Sequence, residues 1–215
     1  GSFVSVALAH RFSPLLAEVS ALRQADRLGE VSHSHFRLIN GPPQRYVDDG
    51  CGWVLDASIS GGGALRNLGI HGVNAFVNLS GGQNIDVESV SFGRQLHGTS
   101  VEDYALVVLR AADGSIGLVE AGYTFASMTQ GIFEWRVSAR NASLTDFGGH
   151  LQVATLDDGK VRDVAATPVA RRYDNVMADT IDRLESGKKP AVTLQDHWRA
   201  MDIIDRCYAM AKKEA

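Results

Sequence analysis

Apolar positions recur along this chain with two periods, and the switch between them divides it into helical and extended stretches. Phe3 to Phe12 alternates weakly and predicts a strand. Ser13-Pro14 then places an N-cap before a first-turn proline, and Leu15, Val19 and Leu22 follow at helical spacing until Gly29. Glu30 to Ile39 predicts a second strand, and Asn40-Gly41-Pro42-Pro43 a loop. Residues 44–60 are irregular. A helix opens after Gly61-Gly62-Gly63 and runs to about Leu79, where Gly81-Gly82 ends it. Extended stretches follow over Val87–Gln95, Tyr104–Ala111, Ser115–Phe125, Phe133–Ala139, Ser143–Phe147, His150–Leu156 and Lys160–Val164. Asp113-Gly114 and Asp158-Gly159 supply turns between them. Two helices close the chain. The first spans about Val169 to Ser186, with Tyr173, Val176, Met177, Ile181 and Leu184 on one side. The second is announced by Thr193-x-x-Asp196, a capping box, and carries Trp198, Met201, Ile204 and Tyr208 as its apolar stripe.

Sequential strands flanked by helices predict an α+β fold: a large, predominantly antiparallel sheet with helices packed on one face, in a single domain over residues 3–215. Both parities of Tyr104 to Leu109 are apolar, whereas a half-solvated sheet alternates apolar with polar. Both faces are therefore expected to be covered. The chain's own helices suffice for one; the other is expected to meet a second copy, as a homodimer or homotetramer, or another domain.

The helix after the glycines is chemically unusual. Asn67 to Ile85 contains no formally charged residue, so it is expected to be buried nearly all round. Asn67, His71, Asn74 and Asn78 fall on a stripe about 60° wide at 100° per residue. Two readings stay open: an amide–histidine network that fixes the helix, or a ligand site in which His71 gives and takes a proton. Three successive glycines fit close approach of a ligand or a tight loop crossing.

Composition narrows the class. Hydrophobic residues make up 45% and charged residues 21% of the 215, with a net charge of −4. No basic stripe marks a nucleic-acid surface, and no apolar run is long enough for a membrane span. Cys51 and Cys207 form no Cys-x-x-Cys and read as reduced thiols of a cytoplasmic protein. Gly1-Ser2, without a methionine, reads as an expression remnant, so the natural polypeptide is expected to begin upstream of Phe3.

Trp53-x-x-Asp56 followed by Ser60-Gly61-Gly62-Gly63-Ala64-Leu65-x-Asn67-x-Gly69-x-His71-x-x-Asn74 resembles the C-terminal domain of the Gfo/Idh/MocA dehydrogenases. Arg11-Phe12-x-Pro14, Val101-Glu102-Asp103 and the strand to Glu120-Ala121 are similar to the same family, so the resemblance spans nearly the whole chain. It implies the substrate-binding and oligomerisation domain of an oxidoreductase. Such an enzyme moves hydride between NAD or NADP and a sugar, polyol or related carbonyl compound. The cofactor is held mainly by a Rossmann domain that also brings a lysine. His71 and Asn67 map to catalytic positions. Asn74 maps to a second aspartate position, on the substrate side. By their own chemistry, Arg11 is a candidate to reach a substrate hydroxyl or carboxylate or to pair with an acid, Trp53 and Tyr123 to stack on a sugar ring or to pack in the core, and Gly62 and Gly63 to admit the cofactor closely or to make a tight loop. The sequence departs from the family where Asn67 and Asn74 stand at positions commonly held by aspartate; neither amide ionises. This departure keeps a rival reading open, a non-catalytic dimerisation and sugar-sensing module. The Rossmann fingerprint is absent, since Gly61-x-Gly63-x-x-Arg66 breaks it, and so is a Glu-Lys-Pro motif. This chain alone is therefore expected to be inactive.

Other candidates carry less. His33 and His35 share a strand face but lack a third ligand, so no metal site is expected. Glu102 and Asp103 read as strand-edge charges.

Overall fold

In the computed structural model, which describes residues 3–212, the extended stretches pair into one eight-stranded sheet. Gly1-Ser2 lies outside the described residues. The strands are β1 (Val31–Asn40), β2 (Ile85–Gly93), β3 (Tyr104–Ala111), β4 (Ile116–Gly122), β5 (Gly131–Ala139), β6 (Ala142–Asp146), β7 (His150–Thr155) and β8 (Val161–Ala165). Their order is β2-β3-β4-β1-β5-β6-β7-β8. The chain's first strand is thus inserted at the centre, parallel to β4 and antiparallel to β5, and every other pair is antiparallel. The sequence predicts the predominantly antiparallel character. The single parallel pair is possible because β1 and β4 are separated by helices and by the strands β2 and β3 rather than joined by a hairpin.

The helices are α1 (Pro14–Gln24), α2 (Gln44–Asp48), α3 (Ala57–Ser60), α4 (Ile70–Leu79), α5 (Arg172–Glu185) and α6 (Leu194–Ala211). Two cores lie on one sheet face. Val73, Phe76 and Val77 of α4 and Ile203, Ile204 and Cys207 of α6 pack on Val107, Leu109 and Val119. Leu15, Val19 and Leu22 of α1, with Leu79, pack on Phe36, Trp135, Val137, Leu144 and Val153. Gly72 and Gly117 let helix and sheet approach: a Cβ at Gly72 would lie 2.8 Å from Val119, and one at Gly117 2.6 Å from the Phe76 ring.

Local signals hold where the chain's own backbone decides. Ser13 Oγ accepts from Leu15 N–H at 3.1 Å with Pro14 behind it, and the Thr193–Asp196 capping box is complete. Four expectations are corrected. Phe3 to Phe12 is not a strand: Ala9–Phe12 is a 3-10 turn. Leu8, Ala9 and His10 are all buried, and a turn can send consecutive residues inward where a strand would alternate them. Along α5 only Val176 of the apolar series is buried, while Met177, Ile181 and Leu184 lie exposed. The buried face of α6 is Ala200, Ile203, Ile204 and Cys207, which leaves Trp198 61% exposed. Glu102 and Asp103 are not edge charges; both are buried, Asp103 accepting from Leu96 N–H at 2.9 Å and Glu102 for reasons the site explains.

Among the described residues no helix covers the opposite sheet face. Tyr104, Leu106 and Val108 of β3 stand there beside Ile116 and Leu118 of β4, all half-buried. Next to them Glu120 pairs with Arg37 at 3.0 Å and with His35 at 3.5 Å.

Candidate functional site

The turn between α3 and α4 organises the site. Asp56 caps α3 by accepting from Ser58 N–H at 2.8 Å, and Gly61 ends it in the left-handed conformation at φ 73°. The next helix opens without a side-chain cap of its own. Glu102 supplies one from β3's approach: its two carboxylate oxygens accept from Gly63 N–H at 2.9 Å and Leu65 N–H at 3.0 Å. The Tyr208 hydroxyl donates to the same carboxylate at 2.6 Å. A buried carboxylate at the positive end of a helix, fully hydrogen-bonded, explains why Glu102 is inside. Packing also explains two glycines. A Cβ on Gly62 would stand 2.1 Å from the Tyr208 hydroxyl, and one on Gly63 2.4 Å from the Glu102 carbonyl.

Leu65–Gly69 forms a π-helical turn that runs into α4. Its wider hydrogen-bonding span turns the chain less per residue than an α-helix does. The uniform stripe expected from 100° per residue is therefore broken. Asn67 opens on a cavity of about 290 Å³ with Trp53, Ser60, Gly62, Arg66, His197 and Met201. Asn74 opens on a separate one of about 190 Å³ with Arg11, Asn78, Asp196 and Arg199. His71 lies between them on the same helix.

Each expected residue has a definite place. Asn67 donates through Nδ2 to the Tyr123 hydroxyl at 3.0 Å. Tyr123 is fully buried against Tyr46, and burial raises its pKa, so it approaches the cavity only through Asn67. Trp53, 56% exposed, forms the cavity lip. Arg11 donates to the Ala191 carbonyl at 3.4 Å and, with the Asn78 amide oxygen turned toward it, to Asn78 at 3.2 Å. It thus straps the first turn to α4 and to the segment before α6.

His71 itself meets His10, with the two Nδ1 atoms 3.4 Å apart and the rings edge-on at 86°. His10 Nε2 reaches Asn74 Oδ1 at 3.1 Å, and Asn74 Nδ2 donates to the Asp196 carbonyl at 3.2 Å. Burial holds the His71 pKa down to about 4, so its imidazole is neutral at pH 7. His10 is lowered well below the usual value, first by burial and then by His71. Sequence reading missed His10, which no local pattern connects to residue 71. It also missed His197, whose Nδ1 is buried in the cavity wall without a partner.

A nicotinamide dinucleotide needs backbone amides for its diphosphate. At the glycine turn, the Gly63 and Leu65 amides are already taken by Glu102, so the residues present form no such cradle. Among the described residues no group of three or more His, Cys, Asp or Glu is placed to hold a metal, and no helix is long and apolar enough to cross a membrane.

A sheet of this order thus carries a capped π-to-α helix with a buried, neutral histidine one turn beyond the Asn67 cavity. The family model for the GFO/IDH/MocA C-terminal domain matches residues 16–145, and the chain belongs to that family. A levoglucosan dehydrogenase solved with NADH and levoglucosan superposes with a TM-score of 0.81 at 16% identity, over 97% of this chain and 63% of its own. An oxidoreductase domain protein from Kribbella flavida gives 0.79 at 17%, over 99% and 66%. An inositol dehydrogenase homolog from Azotobacter vinelandii, complexed with NAD+, gives 0.79 at 16%, over 98% and 63%. The chain thus spans 63–66% of the length of these structures. No curated protein matches it by sequence.

Proposed function

We propose that this chain is the substrate-binding and oligomerisation domain of an NAD- or NADP-dependent oxidoreductase acting on a hydroxyl or carbonyl of a sugar or polyol. The observation that carries the reading is His71: a neutral imidazole on an uncharged helix, one turn beyond the Asn67 that lines a small cavity with Trp53 and Met201. A base for a hydroxyl proton must be unprotonated at the working pH, and burial gives His71 that state. Substrate and cofactor types are supported by relatives solved with NADH and levoglucosan, or with NAD+ and L-tartaric acid. When bound, the cofactor gives or takes the hydride. It would be held by the rest of a longer protein, since at the glycine turn the Gly63 and Leu65 amides are taken by Glu102.

The chain's residues divide the remaining work. His71 takes the hydroxyl proton in oxidation and returns it in reduction. Asn67, anchored by Tyr123, presents an amide to a substrate hydroxyl. Trp53 closes the lip over an apolar sugar face. Asn74 and Arg11 act behind the helix rather than on the substrate. Gly62 and Gly63 keep the turn thin under Tyr208 and beside Glu102. A second copy covers the open sheet face at Leu106, Val108 and Leu118, giving a homodimer or homotetramer. A cytoplasmic setting suits the free thiols of Cys51 and Cys207.

The test uses the full-length parent and a panel of sugars and polyols with NAD+ and NADP+, read by reduced-nicotinamide absorbance. On the substrate found, His71→Ala is expected to lower kcat by about 10²- to 10⁴-fold. A kcat within a few-fold of wild type would show the histidine to be structural. Titrated with NADH, the present chain alone should show no micromolar binding.

A further inference from the structure

We infer that His10 is a positioning residue that locks His71 in the Nδ1–H tautomer, leaving the Nε2 lone pair of His71 as the proton acceptor. The use of that lone pair rests on the function proposed above; the tautomer itself follows from the hydrogen-bond geometry.

The chain of reasoning begins at a group that cannot donate. The Asp196 backbone carbonyl is an acceptor only, so the Asn74 atom 3.2 Å from it must be the amide nitrogen. This fixes Asn74 with Oδ1 toward His10. That oxygen also only accepts, so His10 Nε2, at 3.1 Å, must carry a hydrogen. His10 is 3% exposed, with its ring edge-on to Phe36 at 6.0 Å and to Trp135 at 6.1 Å. Arg11 and Arg172 add positive charge nearby, so burial and these neighbours both oppose an imidazolium there. A neutral ring holding its proton on Nε2 has a bare Nδ1. His71 Nδ1, 3.4 Å away, must then be the donor. His71 Nε2 is left without a proton. It has no hydrogen-bond partner among the described residues and is not one of the buried unpartnered atoms.

The arrangement supplies something the amide at residue 67 does not. Asn67 donates to Tyr123 and makes no hydrogen bond to His71. Orientation of the imidazole comes instead from a residue distant in sequence, through a neutral relay of Asp196 carbonyl, Asn74 amide and His10 imidazole. In such a relay the partner of one ring nitrogen determines the state of the other.

The test needs no substrate. The full chain is prepared with ¹⁵N-labelled histidine, and two-bond ¹H–¹⁵N correlations are recorded at pH 7.5. Wild type is expected to show His71 protonated at Nδ1 and bare at Nε2, with the opposite pattern for His10. In His10→Asn the side-chain oxygen takes the place of the imidazole Nδ1, so the His71 pattern is retained. In His10→Phe both nitrogens are lost, and His71 moves to the Nε2–H tautomer. The Trp135 indole N–H, bonded to Ser34 Oγ at 3.0 Å, reports whether each variant is folded. An Nε2–H His71 in wild type overturns the inference, as does an unchanged Nδ1–H pattern in folded His10→Phe. If His10→Phe does not fold, the wild-type and His10→Asn spectra decide. If the tautomers are as stated but His71→Ala leaves kcat intact in the parent, the catalytic reading fails while the tautomer assignment stands.

Discussion

Val107 and Leu106 are consecutive on β3, yet the sheet gives them opposite surroundings. Val107 is fully buried beneath α4 and α6. Leu106 faces the other way, half-buried among Tyr104, Val108, Ile116 and Leu118, with no helix of the described residues over it. The covered side is the one that admits polar groups deeply: His10, Asn74, Asp146 and Arg172 all lie there with at most 3% exposure. The open side keeps its charges in pairs beside an apolar centre, as in Arg37 with Glu120. Under a helix layer a polar group survives only if its partners are fixed. An open face can leave that requirement to water or to another copy of the chain.

The comparison breaks most sharply at Asp146. Its carboxylate meets Arg172 at 2.8 Å with both side chains 0% exposed, accepts from Ser13 Oγ at 2.5 Å, and receives Gly148 N–H at 2.8 Å. It thereby ties the start of α1 and the start of α5 to the end of β6. Asp146→Ala would strand a buried guanidinium and is expected to cost about 3–5 kcal/mol by urea denaturation. A loss under ~1 kcal/mol would mean that Arg172 reaches water and that the covered side is less dry than its geometry indicates.

Acid is the next lever. Above pH 6.5 His71 is neutral whether folded or unfolded and contributes no pH dependence. Below that value the unfolded imidazole takes up a proton that the folded one, with its pKa lowered to about 4, refuses. Stability therefore falls as the pH drops from 6.5 toward 4, by about 3 kcal/mol for His71, with His10 acting in the same direction. Urea midpoints between pH 7 and 4.5 should fall more steeply in wild type than in His71→Gln. Equal slopes would show that His71 is solvated.

The smallest expected effect on the folded monomer sharpens the contrast from the open side. Leu118→Glu places a charge where nothing packs above it, and monomer stability should change by no more than about 1 kcal/mol. The same substitution should lower the solution mass from oligomer to monomer at micromolar concentration. An unchanged oligomer would place the interface elsewhere.

Much of this is legible in the sequence. The Ser13 and Thr193 caps, the Asp113-Gly114 turn and the uncharged helix with His71 are local features, set by backbone hydrogen bonds and short-range pattern. Both parities of β3 are apolar, and the structure leaves one of them, at Leu106 and Val108, half-buried. Errors arose where burial depends on distant partners. Glu102 looks like an edge charge until the capless helix at Gly63 is brought to it, and α5 looks amphipathic although little of this chain packs on its apolar side. The π-helical turn also escaped, since residues 65–69 carry no local pattern that sets them apart from an α-helix.

The sequence by itself determined the fold class, the run of strands between the His71 helix and α5, and His71 as the titratable group on a dry helix, because hydrophobic period and turn chemistry act over a few residues. Only the tertiary structure decided that β1 sits between β4 and β5, that Asn67 and Asn74 open on different cavities, and that His10 lies beside His71. Those facts depend on contacts between residues far apart in the chain, such as 10 and 71. The free energy of such contacts comes from packing and desolvation, to which no local pattern gives access.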